Sequence, residues 1–195
     1  MTASPTTPML AVAVGGVMVT RAQATSVGRV SFPRSVVVMG VSGTGKSTIG
    51  RALAEALGIP FVEGDDLHPE VNRAKMAAGI PLTDDDRAPW LDAVAAELRR
   101  PVVVACSALK RRYRDRLREA APDLELVYLH GAAELLAARM EGREGHFMPT
   151  SLLWSQLDTL EEPGGDEEPI GVDVALRPDE IVELVMHRLT KEGDA

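Results

Sequence analysis

Gly40-Val41-Ser42-Gly43-Thr44-Gly45-Lys46-Ser47 is an ungapped match to GxxxxGK[ST], and few short motifs restrict a fold so strongly. Its glycines admit backbone conformations closed to other residues, so successive N–H groups can converge on one anion. The helix that follows adds the positive end of its dipole. The motif has meaning only when it follows a strand and opens a helix. Both flanks comply. Residues 35–39 (SVVVM) read as a buried parallel strand. Residues 46–57 read as a helix, with Ile49, Leu53 and Leu57 at four-residue spacing and Gly58 as its stop. Lys46 is then placed to reach the β- and γ-phosphates of a nucleotide, and the Ser47 hydroxyl to ligate Mg²⁺, with Thr48 beside them. Asn72-Arg73-Ala74-Lys75 departs from the NKxD motif with which GTPases read guanine, which favours ATP.

The alternation continues past the motif. Strands are expected at 60–63, 102–106, 124–129 and 170–176, and helices at 69–78, 89–100, 110–120, 132–141, 151–160 and 178–191. Five strands alternating with helices imply an α/β fold, a parallel sheet covered on both faces. Ligands in such sheets bind beyond the carboxyl ends of the strands. Residues 1–34, rich in Ser, Thr, Pro, Gly and Ala, read as a poorly ordered leader, and 35–195 as a single domain. The leader's apolar run, 9–19, resembles a secretion signal, but Met1 to Pro8 carry no Lys or Arg. Residues 161–168 (EEPGGDEE) read as a solvated acidic loop.

Composition narrows the partners. The 195 residues carry a formal net charge of -8, a poor match to nucleic acid or an anionic membrane. No apolar run reaches the ~20 residues of a membrane helix. The one cysteine, Cys106, excludes a disulfide within the chain and suits a reducing cytoplasm. It lies in a strand with no base partner in sequence, so a buried structural thiol is expected.

A second cluster, Glu63-Gly64-Asp65-Asp66-Leu67-His68-Pro69, follows the second strand and so falls at the same sheet edge as the phosphate loop. A kinase acting on an alcohol needs a carboxylate to orient the hydroxyl and accept its proton, and one to hold Mg²⁺ through water. Asp65 is the candidate for both. The cluster also fits an acidic cap for the helix at Pro69. His68 suits either a polyol hydroxyl or a structural role. Arg87, after Asp84-Asp85-Asp86, suits either a substrate carboxylate or a surface ion pair.

Several segments resemble the gluconate kinase family: the stretch from Met39 to Thr48, Gly64-Asp-Asp-Leu-His-Pro69, Pro81-Leu82 with Asp84-Asp-Asp-Arg87 and Trp90-Leu91, and Cys106-Ser-Ala-Leu-Lys110 with Tyr113-Arg114-Asp115. Gly145-His-Phe-Met148, Gln156 and Thr159-Leu-Glu-Glu-Pro163 extend the likeness, which runs from about Ser35 to Val174. The resemblance implies a P-loop nucleoside monophosphate kinase-like α/β/α sandwich with a helical lid at about 139–155. It implies transfer of the ATP γ-phosphate to the 6-hydroxyl of D-gluconate, and commonly a homodimer. It also implies that Arg139 and Arg143 lie in the lid and neutralise charge on the moving phosphoryl group. The basic run from Lys110 to Arg118 is then expected to turn one face toward anionic ligands. Lys110, just past the third strand, is best placed to join His68 and Arg87 on the sugar acid.

Overall fold

The computed structural model of the chain describes residues 34–141 and 150–191. The leader up to residue 33, Arg143 and His146 lie outside the described residues. A parallel sheet of five strands has the order β2-β3-β1-β4-β5, formed by β1 (Val36–Met39), β2 (Phe61–Glu63), β3 (Val103–Ala105), β4 (Glu125–His130) and β5 (Ile170–Asp173). The direction of winding reverses between β1 and β4, where crevices for ligands open in doubly wound sheets.

Helices α1 (Lys46–Leu57), α2 (Glu70–Ala77), α3 (Asp84–Glu97), α4 (Arg111–Ala120), α5 (Ala133–Glu141), α6 (Thr150–Thr159) and α7 (Pro178–Lys191) connect and follow the strands. Alternate residues of each strand feed two separate cores, as the period of a pleated strand requires. Val36, Val38, Val103, Val127 and Leu129 face a layer containing Ile49, Leu53, Leu136, Leu153 and Val185. Val37, Met39, Val104, Leu126 and Tyr128 face Trp90, Leu91, Val94, Tyr113 and Leu117. The result is the expected α/β/α sandwich. No helix among the described residues is long and apolar enough to cross a membrane.

Three local expectations differ from the structure. The third helix starts at Asp84, not at Pro89, although proline favours a first helical turn. Thr83 makes the difference. Its hydroxyl accepts from the Asp86 N–H (3.2 Å) while Asp86 Oδ2 accepts from the Thr83 N–H (2.9 Å), a reciprocal cap that starts the helix one and a half turns earlier. The last strand ends at Asp173 because its Oδ1 accepts from the Ala175 N–H (2.8 Å) and turns the chain.

The acidic stretch 161–168 is the third. Glu161, Glu162 and Asp166 are exposed, but Glu167 is only 2% exposed. Its two carboxylate oxygens accept from Nε (2.6 Å) and Nη2 (2.8 Å) of Arg114, itself 1% exposed. The basic helix is therefore not a free anion-attracting face. Arg111 pairs with Asp166, Arg112 with Asp84, Arg116 with Asp92 and Arg118 with Glu167. A periodicity argument sees a charged residue but not the opposite charge that folding brings to it, in the case of Arg114 and Glu167 from 53 residues away.

Candidate active site

The phosphate loop leaves β1 at Gly40 and enters α1 at Lys46. Gly40 has φ +140, and a Cβ on it would lie 2.4 Å from the Leu129 carbonyl oxygen, so the neighbouring strand forbids any other residue. Gly43 and Gly45 are left-handed, at φ +85 and +86. The chain needs both to bend its amides inward. Val41 is buried and its carbonyl is the loop's internal anchor. It accepts from Thr44 Oγ1 (2.9 Å) and from Lys46 Nζ (2.9 Å). Lys46 is thus folded back over the loop. Ser47 occupies the second position of α1, half-buried, and Thr48 beside it is exposed.

Two helices close over the loop from the far side of the sequence. A Cβ at Gly43 would meet the Leu136 carbonyl oxygen of α5 at 3.1 Å and Met140 Cγ at 3.2 Å. The Ser42 N–H donates to Gln156 Oε1 of α6 at 2.6 Å. Gln156 enters the sequence argument only through the family resemblance. Nothing in its spacing announces a contact 114 residues away. Arg139, next to Met140, donates from Nη2 to the Val174 carbonyl (2.7 Å) beyond the end of β5, so its guanidinium lies at that edge of the cleft.

On the other side of β1, the ends of β3 and β2 carry the acidic cluster. Gly64–Leu67 forms a single 3₁₀ turn, with Asp65 and Asp66 exposed in it. A Cβ at Gly64 would lie 2.4 Å from the Ala105 carbonyl oxygen, which presses this turn against β3. Cys106, at the end of β3, is wholly buried, and burial is the main reason that its thiol is pushed up to about 12. The charges of Asp65 and Glu63 push the same way, against the opposing charge of Lys46. This thiol is structural, as its sequence context indicates.

His68 leaves the turn buried, 5% exposed, and stacks on Trp90 of α3 with ring centroids 4.4 Å apart and planes 9° from parallel. Trp90 in turn donates from Nε1 to the Gly64 carbonyl at 2.7 Å. One buried indole therefore supports both Asp65, through the residue before it, and His68. Burial holds the imidazole pKa below its usual value, and the charges of Arg87 and Arg73 add to that against the opposing pull of Asp65. Arg87 donates from Nη1 to the Leu82 carbonyl (2.7 Å). Lys110 caps α4 and reaches Asp84 at 3.3 Å, where Arg112 and Tyr113 also bind. The Tyr113 hydrogen bond is the main reason that Asp84 is lowered to about 2, so it stays an anion that holds Lys110 at the rim.

Arg114 is the hidden support of this rim. Besides Glu167, its Nη1 donates to the carbonyls of Ala108 (3.1 Å), Leu109 (3.3 Å) and Glu161 (2.9 Å). Ala108 has φ +43, a left-handed conformation that L residues adopt at a cost. The buried guanidinium stabilises that bend and so sets where Ser107 and Lys110 emerge. In the sequence Arg114 is one member of a basic run, with nothing to mark it as buried. Of the residues expected at the site, Lys46 lies in the phosphate loop, Asp65 and His68 in and after the turn that follows β2, Arg87 on α3, Lys110 at the start of α4 and Arg139 on α5.

A parallel α/β/α sandwich with this loop at the end of β1 and a carboxylate beside it defines a phosphate-loop kinase. Residues 36–163 match the family described as AAA domain. A gluconokinase of Gluconobacter oxydans is 52% identical over 162 residues, covering 80% of this chain and 91% of its own. The crystal structure of a gluconokinase from Sinorhizobium meliloti superposes with a TM-score of 0.79 at 57% identity, covering 84% of this chain and 95% of that one. A shikimate kinase from Aquifex aeolicus, at 15% identity and a TM-score of 0.52, shares the fold alone. The chain belongs to the gluconokinase family.

Proposed function

We propose that this protein transfers the γ-phosphoryl group of ATP to the 6-hydroxyl of D-gluconate, giving 6-phosphogluconate and ADP. The observation that supports this reading is that Lys46 opens α1 directly after the loop that follows β1 and Asp65 lies in the turn directly after β2, so both follow the carboxyl ends of strands in one parallel sheet. The amides of Gly43 to Ser47 hold the β-phosphate, and Lys46 follows the charge of the γ-phosphate. Asp65 orients the 6-hydroxyl and takes its proton as the new O–P bond forms and the bond to ADP breaks. His68, Arg87 and Lys110 hold the sugar acid, with the two cations toward its carboxylate.

Residue chemistry at the loop fits Mg²⁺, since Ser47 and Asp65 offer the hard oxygen donors that ion takes alongside phosphate and water. Bound there, it would neutralise charge on the phosphates. Arg139, with Arg143, serves the moving phosphoryl group from a lid at about 139–155. Use of ATP and the reduced Cys106 support a cytoplasmic enzyme, and the family resemblance supports a homodimer.

Purified protein given Mg·ATP and D-gluconate is expected to form 6-phosphogluconate, read by coupled oxidation with 6-phosphogluconate dehydrogenase. A panel with shikimate and nucleoside monophosphates should consume far less ATP. Turnover with shikimate and none with gluconate would reject the substrate. Light scattering after gel filtration tests the dimer.

A further inference from the structure

Asn72, on α2, is 1% exposed and has one use that the surrounding atoms define. Its Nδ2 position lies 2.6 Å from the Asp86 carbonyl oxygen of α3. A carbonyl only accepts, so the side-chain atom facing it must be the amide nitrogen, which settles the orientation of the amide. The same nitrogen lies 3.4 Å from Nδ1 of His68. An amide nitrogen donates and does not accept, so Nδ1 must be the acceptor of that contact. A neutral imidazole has one proton, which then sits on Nε2.

A proton on Nδ1 would set two donors face to face across that 3.4 Å contact, so the geometry excludes it. Burial and the charges of Arg87 from α3 and Arg73 from α2 lower the ring's pKa in the same sense, against Asp65 from the 3₁₀ turn. Arg73 is itself tied to the His68 carbonyl at 2.8 Å. Stacking on Trp90 fixes the ring plane. No described group bonds Nε2, and no side-chain N or O among the described residues is both fully buried and unbonded, so Nε2 keeps some contact with solvent although His68 is buried. His68 itself follows Asp65 by three residues, and its backbone N–H donates to the Asp65 carbonyl at 3.3 Å.

We propose that Asn72 is a positioning residue that locks His68 in the Nε2–H tautomer, and that this N–H donates a hydrogen bond to a hydroxyl of the sugar acid. The second half rests on the reading that the acceptor is gluconate. The first half does not. A donor at this point favours a polyol oxygen over an apolar group and leaves proton removal to Asp65 alone. Asn72 also bonds the backbone of α3, so the tautomer is set by the same contact that docks α2 on the helix carrying Arg87.

The test has two arms. Long-range ¹H–¹⁵N spectra of the imidazoles report the tautomer of each of the 4 histidines, with His68 assigned by its loss in His68→Gln. The wild-type protein should show the Nε2–H form at neutral pH, and Asn72→Asp, whose carboxylate accepts, the Nδ1–H form or an imidazolium. An Nδ1–H or charged His68 in the wild type overturns the proposal without any variant having to fold. In the kinetic arm, His68→Gln puts an amide nitrogen near the place of Nε2 and should keep the KM for gluconate within a few-fold. His68→Asn, and His68→Phe, which keeps the stack on Trp90, should raise it about tenfold with the KM for ATP unchanged. An unaltered gluconate KM in His68→Phe overturns the donor half. Failure of the wild type to phosphorylate gluconate removes that half together with the proposed activity, while the spectrum still decides the tautomer.

Discussion

At the phosphate loop, the groups proposed to hold the β-phosphate come from one unbroken segment, Gly40 to Thr48, and most of them are backbone amides. At the acceptor end, Asp65 and His68 come from the turn after β2, Asn72 from α2, Arg87 and Trp90 from α3, and Lys110 from the start of α4. The first end is a conformation of the chain. The second is a meeting of side chains, each held by partners that lie far away in sequence. A backbone site needs only glycines in the right places and a helix behind them. A side-chain site needs the scaffold to be correct first, and Arg114 with Glu167 shows how deep that scaffold runs.

The comparison can be broken experimentally, and the largest effect is expected where scaffold and site are most coupled. Glu167→Ala leaves the Arg114 guanidinium buried without its fork partner, and should cost about 3–5 kcal/mol in urea unfolding. The same pair gives the stability a pH signature. Arg114 is the main cause that holds the Glu167 carboxyl below its ordinary range, so its contribution is full above that range. It is lost as pH falls through the lowered value. The melting temperature of the wild type should fall on acidification below about pH 4 and that of Glu167→Ala more gently. Equal slopes would detach Arg114 from the fold.

Lys46→Ala should reduce kcat/KM for ATP about 10³-fold while unfolding at the same urea concentration as the wild type, because the loop is built by backbone. A large loss of stability would show that the loop, too, depends on its side chains. Asp65→Asn should lower kcat about 10²-fold or more and leave the KM for ATP unchanged. Normal turnover would refute the base. Arg87→Ala should raise the KM for gluconate about tenfold, read in the same coupled assay, with little change for ATP. The smallest effect is at Cys106. Its thiol, pushed up to about 12 and fully buried, should resist iodoacetamide in the native protein at pH 8 and react once the chain is unfolded.

The elements themselves were largely legible. α1 and α7 run over the residues expected, Lys46–Leu57 and Pro178–Lys191, because each combines an apolar stripe with end signals that agree with it. The start of α3 is ambiguous in the sequence because two end signals compete there. Proline at residue 89 argues for a start, but the reciprocal bonds between Thr83 and Asp86 satisfy helix donors that proline cannot. Within the site, Lys46, Asp65 and His68 could be singled out from motif and chemistry. Asn72, Trp90 and Gln156 could not, because a buried amide or indole owes its role to what faces it.

Local sequence by itself determined the phosphate loop, the alternation of strands and helices, and the family to which the chain belongs. These depend on backbone conformation and apolar spacing, which act over a few residues. Only the tertiary structure decided which charges are solvated and which are buried, that Trp90 supports both Asp65 and His68, and that the Asn72 amide faces Nδ1 of His68. Those outcomes depend on hydrogen-bond partners and dielectric surroundings that do not exist until distant segments pack together.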